Sequence, residues 1–202
     1  IESRGPEGVA HMPGLLRALT VPDVPTAVYW AGPPPTDSSA LRILVAGVDR
    51  LIFDTQALAA GAEGGLAKLA HVGGLLDGLL LADLSWLRTA SLRSVLAAVF
   101  DPPVGAEPLG RLKRVTVCAT ERGVPAAKLV LGWLASRLAW GTPERVARGQ
   151  LGWQVPLGDG RSLRLDIEVQ HTASARSSGL CGIALQTTQG EMTLQLWPDI
   201  AP

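Results

Sequence analysis

The hydrophobic periodicity of this chain changes character once, at Gly141, and that change limits the architectures open to it. Up to about residue 140, short apolar runs of strand length alternate with longer runs at helical spacing, the pattern of βα units in a layered α/β domain with a mainly parallel sheet. Thr26 to Trp30 and Arg50 to Asp54 read as strands, and Leu79 to Leu84 as the next. Leu15 to Leu19 reads as helix, Asp37 or Ser38 as the cap of a helix through Val45, and Gly61 to Gly65 as a connection into a helix from Leu66 to Leu76. Thr89 or Ser91 is placed to cap a helix whose apolar positions Leu92, Val95, Leu96, Val99 and Phe100 keep helical spacing until Pro102-Pro103. Val115 to Ala119 is a β-branched strand, and Pro125 falls in the first turn of a helix carrying Leu129, Trp133, Leu134, Leu138 and Trp140.

Past Gly141 the runs are short and alternating: Trp153 to Leu157, Leu163 to Gln170, Cys181 to Thr188 and Met192 to Trp197. Turn residues join them, with Leu157-Gly158-Asp159-Gly160-Arg161 and Gln189-Gly190-Glu191 as hairpin signals, so the segment reads as a small antiparallel β meander. Ala173 to Gly179 is small and polar and reads as a loop. The expected organisation is an α/β domain over residues 1–141 followed by the meander over 142–202. Because the chain opens on Ile1 and not on Met, we expect a fragment or processed form whose first element is truncated.

Composition removes several classes of function. Lys+Arg and Asp+Glu are 18 each, so no overall field draws nucleic acid or an anionic membrane. Asp77, Asp83 and Arg88 interrupt the longest apolar candidate before it reaches the roughly 18 residues of a membrane span. Cys118 and Cys181 form neither a disulfide framework nor a metal motif, and two small buried hydrophobes in a reducing cytoplasm account for them. His11, His71 and His171 lack any metal-ligand spacing, and no glycine loop, nucleophile elbow or cofactor motif is present. The nearest imitation of a phosphate loop, Gly61-Ala62-Glu63-Gly64-Gly65, carries an acid that would repel phosphate.

Two sets of residues remain as candidates. Asp54, Asp83 and Glu121 follow strand-like runs, and ligands of open α/β sheets bind beyond the carboxyl ends of strands. A sugar-phosphate or nucleotide-sugar binding enzyme using Asp54 and Asp83 is one reading; helix capping or pairing with nearby arginines is the plain one. The second set is aromatic. Six tryptophans stand against one tyrosine and two phenylalanines, and Trp30 and Trp86 sit where strands give way to Pro-rich or polar chain. Large aromatics and arginines at such exits are typical anchors of protein interfaces. Arg88 is near enough in sequence to stack on a neighbouring ring or to pair with Asp83. A third reading makes the meander a self-associating module.

The same residues carry a family resemblance. Val21-Pro22-Asp23-Val24-Pro25 followed by Tyr29-Trp30-Ala31-Gly32-Pro33-Pro34 resembles the Asp-Leu-Pro…Trp-Trp-x-Gly-x-Pro signature of the OpcA family, the glucose-6-phosphate dehydrogenase assembly proteins. Asp49-Arg50-Leu51-Ile52-Phe53-Asp54-Thr55 is similar to its Asp-Arg-x-Ile-x-Asp-Ser, and Asp83-Leu84-Ser85-Trp86-Leu87-Arg88 with Arg93 and Phe100-Asp101 to its Asp-Leu-x-Trp-x-Arg…Trp-Arg…Phe-Asp block. Leu92 stands where the family has a second Trp, Ser94 where it has Glu, Tyr29 in place of one Trp of the pair, and Ala31 in place of an Arg. The resemblance implies a non-catalytic cytoplasmic protein, without cofactor or metal, that binds glucose-6-phosphate dehydrogenase and promotes its active oligomer. Trp30, Asp83, Trp86, Arg88 and Arg93 are then the candidate docking residues. Some relatives are redox-controlled through cysteines, a role open to Cys118 and Cys181 beside inert burial.

Overall fold

The computed structural model describes residues 11–32 apart from 12, 17 and 22; 42–57 apart from 44; 70, 73 and 74; 79–100; 110–147; 151–171; and 179–196. The expected helices from Asp37 and from Leu66, the Gly61 connection, most of the loop before Gly179 and the Pro102-Pro103 stop lie wholly or largely outside these residues. The chain divides into two compact units, Ile1–Leu84 and Ser85–Pro202, whereas the texture of the sequence changes at Gly141.

The first unit holds a three-stranded parallel sheet, β1 (Ala27–Tyr29), β2 (Arg50–Phe53) and β3 (Leu80–Asp83), in that order. Parallel neighbours need long crossovers, which is why twenty or more residues separate each pair of strands. Central β2 buries Leu51 and Phe53 completely, and Val45 and Val48 pack with them. Leu16, Val28, Trp30, Leu79 and Leu81 close around this core. Asp49, the first acid of the Asp-Arg-Leu-Ile-Phe-Asp run, fixes where β1 begins: its Oδ2 accepts from the Thr26 N–H at 2.7 Å and its own N–H donates to the Thr26 carbonyl at 2.9 Å.

The second unit opens with two helices, α1 (Leu84–Arg88) and α2 (Ala90–Val99), the first beginning one residue before the unit boundary. Thr89 occupies the N-cap position of α2 but makes no side-chain cap; its hydroxyl instead donates back to the Trp86 carbonyl at 2.7 Å. Next come β4 (Leu112–Ala119), a 3-10 turn (Glu121–Gly123) and α3 (Val124–Arg137). Pro125 lies in the first turn of α3 as expected, where its missing N–H costs no helix bond. The helix ends three residues short of Trp140: Ala139 turns to φ 50° and the Trp140 N–H donates back to the Ala135 carbonyl, the capping pattern usually made by glycine.

The later strands are β5 (Glu144–Arg145), β6 (Gly152–Pro156), β7 (Ser162–Val169), β8 (Leu180–Thr187) and β9 (Glu191–Gln195). Both hairpin signals hold, since β6 pairs antiparallel with β7 and β8 with β9. Asp159 and Arg161 brace the first turn, where the Arg161 side chain hydrogen-bonds the Asp159 carboxylate and holds it below the ordinary carboxylate range. The two hairpins do not touch along β7 and β8. Instead β4 runs between them, parallel to β7 and antiparallel to β8, giving the six-strand order β5-β6-β7-β4-β8-β9. This insertion puts α2 and α3, which precede residue 141, and the strands that follow it around one core.

One face of that sheet presents Val115, Val117, Ala119, Leu163, Leu165 and Ile183, and α3 covers it with Ala126, Ala127, Val130 and Leu134. From α2, Leu92 and Leu96 enter the same core. The opposite face carries polar side chains, as an antiparallel sheet facing water allows. There Asp166 accepts from Arg164 at 2.8 Å and from Arg114 at 2.9 Å, and any side chain at Gly152 would press on this group.

Candidate interaction site

Of the three acids that sequence placed after strands, Asp54 and Asp83 lie at the carboxyl ends of β2 and β3 in the first sheet, while Glu121 follows β4 of the second. Asp83 ends β3 opposite Phe53 of β2, one residue before Asp54. Both carboxylates are buried and bonded into the fold: Asp83 accepts from the Thr55 N–H at 3.1 Å and from its hydroxyl at 2.7 Å, while Asp54 Oδ1 accepts from the Gln56 N–H at 3.2 Å. Asp83 holds the turn after β2 against β3, and Asp54 braces that turn from within. Asp83 therefore offers little surface to a partner, and the carboxyl edge gathers hydrogen bonds of the fold in place of an open acidic site. Glu121 is exposed in the 3-10 turn and lies 3.9 Å from His171 Nδ1. Among the described residues no group of three or more His, Cys, Asp or Glu is arranged to hold a metal ion.

Trp30 belongs to the first unit, its side chain half-buried against that unit's core and its backbone N–H donating to the Ile52 carbonyl at 2.8 Å. Trp86, Arg88 and Arg93 belong to the second and are half-buried as well. The Trp86 ring is met by the guanidinium of Arg93, seven residues further along the chain. Its Cζ sits 3.5 Å from the ring centroid, its Nε donates to the Thr89 hydroxyl at 3.1 Å, and its Nη2 lies 3.4 Å from the Trp86 carbonyl. A planar cation over an indole face is held by the ring quadrupole, and three contacts leave the Arg93 side chain little freedom to lose on binding. Trp86 is not among the side chains packed against the core of its unit, unlike Trp133, Trp140 and Trp153.

Two participants were not singled out for binding by sequence. Trp133 and Arg137, four residues apart on α3, line a groove shared with Arg93 of α2. Sequence placed Trp133 on the apolar stripe of α3 with Leu134 and Leu138, and it does pack against the core of its unit; nothing in the sequence set Arg137 apart.

Cys118 stands on the polar face of β4 and Cys181 falls beside it, at the irregularity where Cys118 faces Gly182 but Ala119 faces Leu180. Both are free thiols. Desolvation, with the charge of Glu168 and a hydrogen bond to it at 3.6 Å, pushes the Cys118 thiol up from 9.0 to about 11, and burial raises Cys181 too. Fewer thiolates at neutral pH means slower alkylation, partly offset because a more basic thiolate is the better nucleophile. With Cys181 replaced by serine, Cys118 should alkylate roughly tenfold more slowly at pH 8 in the folded protein than in urea. Because the folded thiol holds its proton more tightly than the unfolded one, its contribution to stability is fully present below pH about 9 and lost as pH rises through about 11. A rate equal in both states would remove this account of the thiol.

No helix among the described residues is long and apolar enough to cross a membrane. Fold and site together define a two-unit α/β protein with an ordered tryptophan and arginine cluster at the start of its second unit. Residues 3–71 match the model of the glucose-6-phosphate dehydrogenase subunit N-terminal domain, and residues 80–199 that of its C-terminal domain. The chain belongs to the OpcA family of glucose-6-phosphate dehydrogenase assembly proteins. It is 27% identical over 134 residues to the OpcA protein of Synechocystis sp., covering 66% of this chain and 28% of that protein. It is 34% identical over 128 residues to OpcA of Nostoc punctiforme, covering 63% and 27%. The match thus spans little more than a quarter of the length of these relatives, which are named for the OxPP cycle. Among solved structures, myo-inositol 2-dehydrogenase from Lactobacillus plantarum covers 94% of this chain and 62% of its own at 11% identity and a TM-score of 0.48, too distant to bear on function.

Proposed function

We propose that this protein is a non-catalytic assembly factor that acts in the cytoplasm, binding glucose-6-phosphate dehydrogenase and promoting its active oligomer at the entry to the oxidative pentose phosphate pathway. The observation that carries the reading is the match of both parts of the chain, in order, to domains described as belonging to a glucose-6-phosphate dehydrogenase subunit. The Trp86 and Arg93 stack supports it, because indole and guanidinium groups held rigid outside the core are the side chains most enriched at the energetic centres of interfaces. Arg88 and, in the first unit, Trp30 are further candidate contacts. The rival enzymatic reading has less in its favour, since the Asp54 and Asp83 carboxylates already take hydrogen bonds from the turn after β2.

The test is a pull-down of the host's own glucose-6-phosphate dehydrogenase, read beside its kinetics and its sedimentation with and without this chain. Co-purification, a shift to a larger oligomer and a rise in dehydrogenase activity are expected. A dehydrogenase whose mass and rate ignore saturating amounts of the chain ends the proposal.

A further inference from the structure

We propose that the groove between α2 and α3 seats a short amphipathic helix of the partner protein, apolar on the face it buries and acidic at its flanks. This deepens the functional reading above and rests on it. The groove has a volume of about 490 Å³, room for several side chains. Among the described residues its floor is Leu96, Ala97, Phe100, Trp133, Leu134 and Leu138. Its charged lining is Arg93 from α2 and Arg137 from α3, with no carboxylate and no lysine among the described lining residues. Aromatic and aliphatic side chains with arginine, and without lysine or acids, make up the composition found at the cores of protein interfaces.

Charge fixes the chemistry of the occupant. Two guanidiniums beside an apolar floor favour a partner that brings carboxylates to them and hydrocarbon between them, and disfavour one that brings cations. Arg93 is also preorganised, held by Thr89 and the Trp86 ring, so it meets a carboxylate without first being ordered. The walls fix its conformation. Both are helices, whose backbone donors and acceptors are taken up within their own ladders, so the groove offers no strand edge to an extended peptide. A segment burying its backbone there must satisfy its own hydrogen bonds, as a helix does. The length of α2, about 15 Å, matches two to three turns of such a helix.

The experiment measures affinity for the host's dehydrogenase with two variants of the full chain, Arg137→Glu and Ala97→Trp. Arg137 and Ala97 are both exposed, so both chains should keep the thermal unfolding of the parent, and either one alone suffices if the other does not. Each should weaken binding roughly tenfold or more, the first by repelling the acidic flank and the second by filling the floor. Arg137→Glu should also flatten the dependence of affinity on salt, which Ala97→Trp should leave unchanged. Parental affinity in both folded variants overturns the groove while leaving the assembly reading standing. Failure of the parent chain to bind the dehydrogenase overturns both. Self-association of the chain alone that Ala97→Trp abolishes would give the groove to a second copy and equally overturn the proposal.

Discussion

Replacing Gly123 with alanine is expected to destabilise the second unit by about 3 kcal/mol or more, the range of substitutions that force backbone apart in a packed interior. The 3-10 turn before α3 and the start of β8 pass each other here backbone against backbone. A methyl group on Gly123 would lie 2.5 Å from the Gly179 carbonyl carbon and 2.9 Å from its Cα, with the carbonyl oxygen closer still. The obstacle is main chain and cannot rotate away. The same crossing is tied by hydrogen bonds, since the Thr120 N–H donates to the Gly179 carbonyl at 2.8 Å and the Thr120 hydroxyl to the same oxygen at 3.2 Å. Gly179 itself, at φ 72°, sits where a side chain is strained regardless of space. Thermal unfolding should show a fall on the order of 10 °C. Gly132→Ala, on the exposed side of α3 with open space around it, should instead stabilise by about 0.5–1 kcal/mol. Opposite signs for two identical substitutions nine residues apart would locate the constraint at the crossing; equal effects would deny it.

That crossing was invisible in the sequence, and the reason is general to this chain. Local chemistry was legible: Pro125 opened its helix, Asp159 and Gly160 made a hairpin turn, and the alternation of Leu163, Leu165 and Ile167 gave a strand with one buried face. These depend on neighbours along the chain. The place of β4 between two hairpins depends on which strands pair across fifty or more residues, and periodicity is silent on pairing. For the same reason the apparent division at Gly141 marks a change in local pattern, while the compact units part at Leu84. The acids show the limit from the other side. Asp83 looked available because it follows a strand, yet its partner Thr55 lies twenty-eight residues earlier. Trp86 and Arg93, seven apart and so two helical turns, were within reach of pattern reasoning. The nearer Arg88 was the more conspicuous residue, and the turn at Thr89 hid that the face continues from α1 into α2.

If the ring of Trp86 is a contact and not a core residue, Trp86→Ala should separate binding from folding more sharply than any other single change. The side chain is half-buried and lies outside the core cluster, so its removal forfeits the stack with Arg93, about 0.5–1 kcal/mol at a partly exposed site. At an interface the expected cost is larger. Loss of a tryptophan anchor removes about 2 kcal/mol or more of binding energy, a factor of roughly 30 in affinity for the dehydrogenase. It also frees Arg93 from the ring that orders it, so the arginine then loses conformational freedom on docking. Arg93→Lys in the intact protein should reproduce part of this loss, because lysine keeps the charge but cannot make the planar stack and the Thr89 hydrogen bond together. Binding and thermal unfolding measured on parent, both single variants and the double variant close a cycle that isolates the coupling between the two side chains. Affinity should collapse while the unfolding midpoint moves little. A midpoint that falls as far as it does for Gly123→Ala, with affinity lost only through unfolding, would make Trp86 part of the scaffold and move the search for the docking surface elsewhere on the second unit.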